Sequence, residues 1–231
     1  MTREEFIDTF WDYYLVLEQD FLSTERYVSF DLGDNYLYDG GTPKKLENSR
    51  CFSVEFAKQY QTICSEIDVI LKAICKELKA KIQKKNICAY TKAILSDNFW
   101  KSIVSQEVEF KKIKLQPFMK WSVKTINNNE IVSLEWWTLY NKVKHNRTAK
   151  YQEANLKNVL NSLAGLYILE NYLVKYIGNR DGSRDVPNDM SKIFTMVNWN
   201  TEHEVIGNNT YCITNNQIDE LNNIKKCSNK Y

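Results

Sequence analysis

The run Ser53-Val54-Glu55-Phe56-Ala57-Lys58-Gln59-Tyr60-Gln61-Thr62-Ile63-Cys64-Ser65-Glu66-Ile67-Asp68-Val69-Ile70-Leu71-Lys72-Ala73-Ile74-Cys75-Lys76-Glu77-Leu78-Lys79-Ala80-Lys81-Ile82 decides the fold. Phe56, Tyr60, Ile63, Ile67, Ile70, Ile74, Leu78 and Ile82 recur at spacings of three and four, the period of one helix face. Ser53 suits the N-cap, where its hydroxyl accepts an amide of the first turn. The pattern predicts a helix of about 28 residues with Lys72, Lys76, Lys79 and Lys81 on its outer side. Such a stripe has to be covered by other elements, and the rest of the chain offers mainly helices to do it.

Outward from this run, Phe6, Phe10, Tyr13, Tyr14, Leu17 and Phe21 predict a helix over 3–22, with Asp8, Asp12 and Glu18 facing away. A short helix is expected over 86–95 and another over 131–145, carrying Leu134, Trp137 and Val143. A tight turn then leads to a helix over 150–177, with Leu156, Val159, Leu160, Leu163, Ala164, Tyr167 and Ile168 on one side and Gly178 as its C-cap. Trp136 and Trp137 read as core, and Glu170 and Asn171 hint at a polar network inside the last apolar helix. Tyr27, Ser29 and Phe30 suggest a short strand, Asp39-Gly40-Gly41 a turn and 42–50 a polar loop. Val108, Phe110, Ile113 and Leu115 suggest a β segment that Pro117 interrupts. The tail reads as a loop over 178–189, a hairpin near 204–214 around Gly207-Asn208-Asn209, and a helix over 216–226. His203 reads as a surface residue. Seven glycines and three prolines are few for an all-β chain of 231 residues. The expectation is therefore a mainly α protein: an antiparallel helical bundle over 1–178, with a loop and mixed α/β tail over 179–231 packed on it.

The formal net charge is +2, but its distribution is uneven. Residues 1–50 are acidic, whereas 72–124 are rich in lysine, with only Glu77, Asp97, Glu107 and Glu109 opposing them. A basic segment can favour a polyanion, although such runs are commonly solvated faces. The six cysteines, Cys51, Cys64, Cys75, Cys88, Cys212 and Cys227, form no C-x-x-C pair. Cys64 and Cys75 on one helix would be roughly 16 Å apart, too far to bridge. Two histidines argue against a zinc site, and the acidic spacing near 181–189 does not fit a calcium loop. No cofactor is implied. The N-terminal segment lacks a basic stretch followed by an apolar core, and no run reaches 18 apolar residues, so a cytoplasmic protein with no membrane partner is expected.

Chemistry concentrates in Glu135-Trp136-Trp137-Thr138-Leu139-Tyr140-Asn141-Lys142-Val143-Lys144-His145-Asn146-Arg147. On a helix, Asn141 and His145 share a face, and Tyr140 and Lys144 share the adjacent one. Imidazole exchanges protons near neutral pH, and guanidinium binds phosphate in a bidentate way. Such a pair suits metal-free phosphodiester chemistry, although both groups also serve as ordinary helix caps. Glu66 lies beside the stripe of Ile63, Ile67 and Ile70, where a carboxylate needs a partner. His145, Arg147 or Lys144 would serve, and Glu66 would then orient His145.

The helix–turn–helix at 131–177, preceded by the helix carrying Cys64-Ser65-Glu66-Ile67-Asp68, resembles the HEPN superfamily (higher eukaryotes and prokaryotes nucleotide-binding) over roughly 50–178. Asn141-x-x-x-His145 matches the polar residue and the histidine of that family's motif, and Tyr140 stands where its arginine is expected. The resemblance implies a four- or five-helix bundle, often a homodimer, and a metal-independent endoribonuclease of a toxin or phage-defence system. In it His145 would act as acid or base, Arg147, Lys144 and Tyr140 would contact phosphate, and cleavage would leave a 2′,3′-cyclic phosphate. An antitoxin or other defence protein would be a possible partner. The absent arginine implies the alternative, a non-catalytic module of the same fold that binds RNA, a nucleotide or a protein.

Overall fold

A computed structural model describes residues 1–37, 47–206 and 209–212. The turn expected at Asp39-Gly40-Gly41 and the helix expected at 216–226 lie outside the described residues. The protein is mainly α-helical with small antiparallel sheets.

The deciding run forms a helix over Val54–Glu77, which we label α3 after α1 (Arg3–Phe6) and α2 (Asp12–Ser23). Ser53 Oγ accepts from the Phe56 amide at 3.0 Å. The helix stops before Ile82 because the chain turns at Lys79, whose φ is +51°. Phe56, Tyr60, Ile63, Ile67, Ile70 and Ile74 are all buried. Further along, after α4 (Ile87–Leu95), α5 (Asn98–Lys101), α6 (Glu135–His145) and α7 (Arg147–Lys150), comes α8 (Leu156–Asp181). Asn155 caps it by accepting from the Asn158 amide at 3.0 Å. It outruns the expected end at Gly178 and closes on Gly182, whose φ of +64° is the left-handed cap conformation. Gly178 is needed for another reason. A Cβ there would sit 2.7 Å from the Asp185 Cα, where the chain folds back across the helix.

The N-terminal helix is continuous from α1 to α2 through a π-helical turn, Ile7–Trp11. It opposes α3: the Met1 amino group reaches Glu77 Oε1 at 2.8 Å, while Gln59 Nε2 donates to the Asp20 carbonyl at the other end. The α3–α8 pair departs from the expected antiparallel packing. Phe52 bridges Asn155 at the start of both helices, and Arg180 pairs with Glu77 at their ends, so the two run side by side in the same direction. A parallel pair needs a long return, and residues 78–155 provide it.

That return carries most of the β structure. β1 (Val108–Phe110) and β2 (Ile113–Leu115) form a hairpin, and β3 (Val123–Ile126) and β4 (Asn129–Val132) another. Asn127 and Asn128 both have positive φ, as a tight two-residue hairpin turn requires. Because β4 claims residues through Val132, the helix expected from 131 begins at Glu135. β5 (Phe194–Met196) adds to β1, giving the strand order β2-β1-β5, and β6 (His203–Ile206) pairs with β7 (Asn209–Cys212) at the expected hairpin. The strand expected near Tyr27 is replaced by a 3-10 turn at Thr24–Arg26. Phe30 instead stacks on Phe21 with ring centres 4.8 Å apart.

Two polar residues read as surface act as clamps, Glu18 buried and His203 half-buried. Glu18 is buried, and accepts from the Tyr14 hydroxyl at 2.7 Å, the Lys192 amide at 2.8 Å and the Ser191 hydroxyl. It pins the segment before β5 to the N-terminal helix. His203 Nδ1 lies 2.9 Å from buried Asp185, which also accepts the amides of Glu202 and His203.

The lysines of 72–124 are partly neutralised from elsewhere. Lys72 meets Asp68, Lys92 meets Glu130, and Lys111 meets Glu25. Such exposed pairs stabilise little, about 0–1 kcal/mol each, but they remove charge from the face. Cys64, Cys75 and Cys88 are buried free thiols, and Cys51 is exposed. Among the described residues no helix is long and apolar enough to cross a membrane.

Candidate functional site

α6 is anchored by its tryptophans. Trp136 is fully buried; its indole donates to the Pro117 carbonyl at 2.8 Å, and its own carbonyl accepts from the Tyr60 hydroxyl. This fixes the rotation of the helix and so decides which side chains face outward.

One face of α6 lines a groove of about 620 Å³. Thr138, Asn141, Lys142 and His145 come from α6, Asn146 and Lys150 from its continuation, and Trp137, Ile87 and Val132 make an apolar wall. His145 is exposed and, among the described residues, makes no hydrogen bond or ion pair. Asn141 lines the groove and spends one amide proton on the Trp137 carbonyl at 3.0 Å. Lys142 and Lys150 have no acidic partner among the described residues. Glu130 also lines the groove, but Lys92 holds it.

The other face of α6 is interior. Tyr140 is buried, edge-on to Tyr60 at 5.8 Å and tilted against Trp137 at 5.2 Å. Burial pushes its phenol up to about 12, with Cys64 and Asp68 adding to the rise. Lys144 places its ammonium 5.6 Å from the centre of the Tyr140 ring. The pairing of Tyr140 with Lys144 on one face is as expected, but the face packs toward α3 and away from the groove.

Arg147 is exposed, and lines a second groove of about 740 Å³ with Thr148, Tyr151 and residues of α3. α7 is the wall between the two. Asn146 and Lys150, four apart, face the first groove, and Arg147 and Tyr151, also four apart, face the second. Of the six residues singled out in the sequence, the structure thus brings Asn141 and His145 together, sets Arg147 across a one-turn wall, and puts Tyr140 in the core with Lys144 above it.

Glu66 meets no cation among the described residues, which corrects the expectation that it orients His145. It is half-buried on α3, and its charge acts on Glu170 of α8. Glu170 is completely buried with neither carboxyl oxygen hydrogen-bonded among the described residues. Burial holds both acids above the usual carboxylate range, and Glu66 raises Glu170 further. The suspected polar network in the last helix thus reduces to a buried carboxyl whose hold on its proton is strengthened by burial, beside an Asn171 that donates to the Tyr167 carbonyl at 2.8 Å.

Sequence reasoning passed over Lys150, Thr138 and the whole second groove. Counting back and forward by four from Asn146 would have reached Lys150. The second groove joins α3 to the segment after α6, and no local signal links the two. Comparison of the chain with protein-family models, with curated proteins and with solved structures finds no match.

Proposed function

We propose that the α6–α7 corner is an RNA-binding surface of a non-catalytic, HEPN-like module. The observation that carries this reading is the first groove itself, where Lys142, His145 and Lys150 converge with Asn141 and Asn146 and without an acidic partner for either lysine. Cations whose charge the protein leaves uncompensated are available to phosphate, and the amides supply directional hydrogen bonds beside them. The apolar wall gives the ribose and base a surface that water leaves readily. Each phosphate neutralised on a single strand releases about 0.7 counterion, so affinity falls steeply with added salt. The test is binding of a labelled oligoribonucleotide over a salt series by wild type and by Lys142→Gln/Lys150→Gln. A shallower salt slope in the double variant supports the reading. Binding indifferent to salt, or none at low salt, removes it.

Exposed, unpartnered His145 favours a second reading, metal-free cleavage by 2′-hydroxyl attack, as in toxin and phage-defence nucleases. His145 would move the proton, and Lys142 or Lys150 would offset charge on the scissile phosphate. No carboxylate orients the imidazole among the described residues, so a second copy across a two-fold axis would complete the site. Digestion of total RNA in EDTA, with 2′,3′-cyclic ends and loss in His145→Ala, is its signature. Intact RNA at saturating protein leaves the binding module alone.

A further inference from the structure

The second groove has a different chemistry from the first. Tyr151 is half-buried, packed partly on the core, with Phe52 edge-on to its ring at a centre distance of 5.3 Å. Phe52 is itself half exposed, and its backbone is tied down: Phe52 bridges Asn155, and the Leu156 amide donates to the Cys51 carbonyl at 3.0 Å. The aromatic pair is thus a braced surface, not two loose side chains. Val54, which is 78% exposed, and Ala57 supply an apolar floor. Gln61 and Arg147 border it with no hydrogen-bond or ionic partner among the described residues. An amide presents both donors and acceptors, and a guanidinium presents a planar fork of donors. A flat ring, an apolar floor, an uncommitted amide and an uncommitted guanidinium together suit an unstacked base with its phosphate.

We propose that this groove is a base-stacking subsite that makes the chain selective for single-stranded RNA. The inference rests on the RNA-binding reading of the first groove and adds the strand's form and route. The strand crosses α7, with phosphates on Lys142 and Lys150 on one side, and on Arg147 on the other. One base beyond the wall lies on Tyr151, with Gln61 at its edge. Bases inside a duplex are stacked on their neighbours and their faces are not available, so duplex RNA loses this contact.

The experiment measures binding of three labelled RNAs: a single strand, the same strand annealed to its complement, and the single strand carrying abasic residues. Wild type should prefer the intact single strand by about tenfold or more, the order of one base–aromatic stack. Tyr151→Ala should lose that preference while binding the duplex as wild type does, and Tyr151→Phe should restore it. Gln61→Ala should weaken binding of the intact strand and leave the abasic strand unaffected. The abasic strand tests the subsite with unaltered protein, so a poorly folded Tyr151→Ala does not decide the matter. Equal affinity for intact and abasic strands, or for duplex and single strand, overturns the subsite while leaving the first groove standing. Absence of any RNA binding overturns both.

Discussion

The seam between α3 and α8 and the corner between α6 and α7 treat polar groups in opposite ways. In the seam Glu170 is fully buried with no hydrogen-bond partner among the described residues, and burial raises its pKa because the charged form loses its water. At the corner Lys142, His145 and Arg147 are exposed and without partners among the described residues. Water solvates them at little cost, so they stay accessible. The contrast teaches that chemically suggestive residues differ less by type than by the solvent around them. A buried acid here is a liability to stability, whereas exposed cations are nearly free of cost and open to ligand.

The comparison breaks most visibly if the corner proves as important to stability as the interior. Trp136→Ala removes a fully buried indole that donates a hydrogen bond to the Pro117 carbonyl, and should cost about 3–5 kcal/mol, read as a lower denaturant midpoint. A loss below about 1 kcal/mol would mean that Trp136 does not anchor α6.

Glu18→Ala is a test of the tail clamp. Losing hydrogen bonds to a buried carboxylate should cost about 1.5–3 kcal/mol. The loss should be local as well as global, with faster amide hydrogen exchange at Lys192 and through β5. Uniform exchange across the chain would contradict a clamp on that segment.

Glu170 gives the pH dependence. The unfolded chain releases this proton near the ordinary glutamate value of about 4.3, and the fold holds it to higher pH. With the folded value raised, the favourable contribution is full below the unfolded value and is lost as pH rises, by at most roughly 1.4 kcal/mol per pH unit. Glu66, also raised by burial, contributes with the same sign. Glu170→Met should flatten this decline and stabilise the protein at neutral pH by about 1–3 kcal/mol, the cost of a buried unsatisfied polar group. A variant that keeps the wild-type pH profile would show that Glu170 is not the group responsible.

The smallest stability effects belong to the corner. Lys142→Gln, His145→Ala and Arg147→Gln should each shift stability by less than about 0.5 kcal/mol, since none has a partner to lose. Their effect should appear in RNA binding instead. Lys142→Gln should reduce the salt slope by about one contact. A corner variant that unfolds the protein would erase the distinction drawn between the two regions.

The sequence alone determined the local geometry. Three- and four-residue spacing located α3, α8 and the N-terminal helix, Ser53 announced a cap that the structure contains, and the hairpin expected near 204–214 foretold β6 and β7. The shared face of Asn141 and His145 also followed from spacing, because helical periodicity is a property of neighbours in the chain. What tertiary structure decided were relations across long stretches. The same-direction packing of α3 and α8, the strand β5 laid beside β1, the burial of Glu18, the electrostatic influence of Glu66 on Glu170 and the separation of Arg147 from His145 all depend on how distant surfaces fit. The physical reason is that periodicity specifies which side of a helix is apolar, whereas the identity of what covers it follows from packing and the length of the intervening chain. Glu66 shows the limit: its place beside the apolar stripe foretold partial burial, and only the packing of α8 against it supplied an acid where a cation was expected.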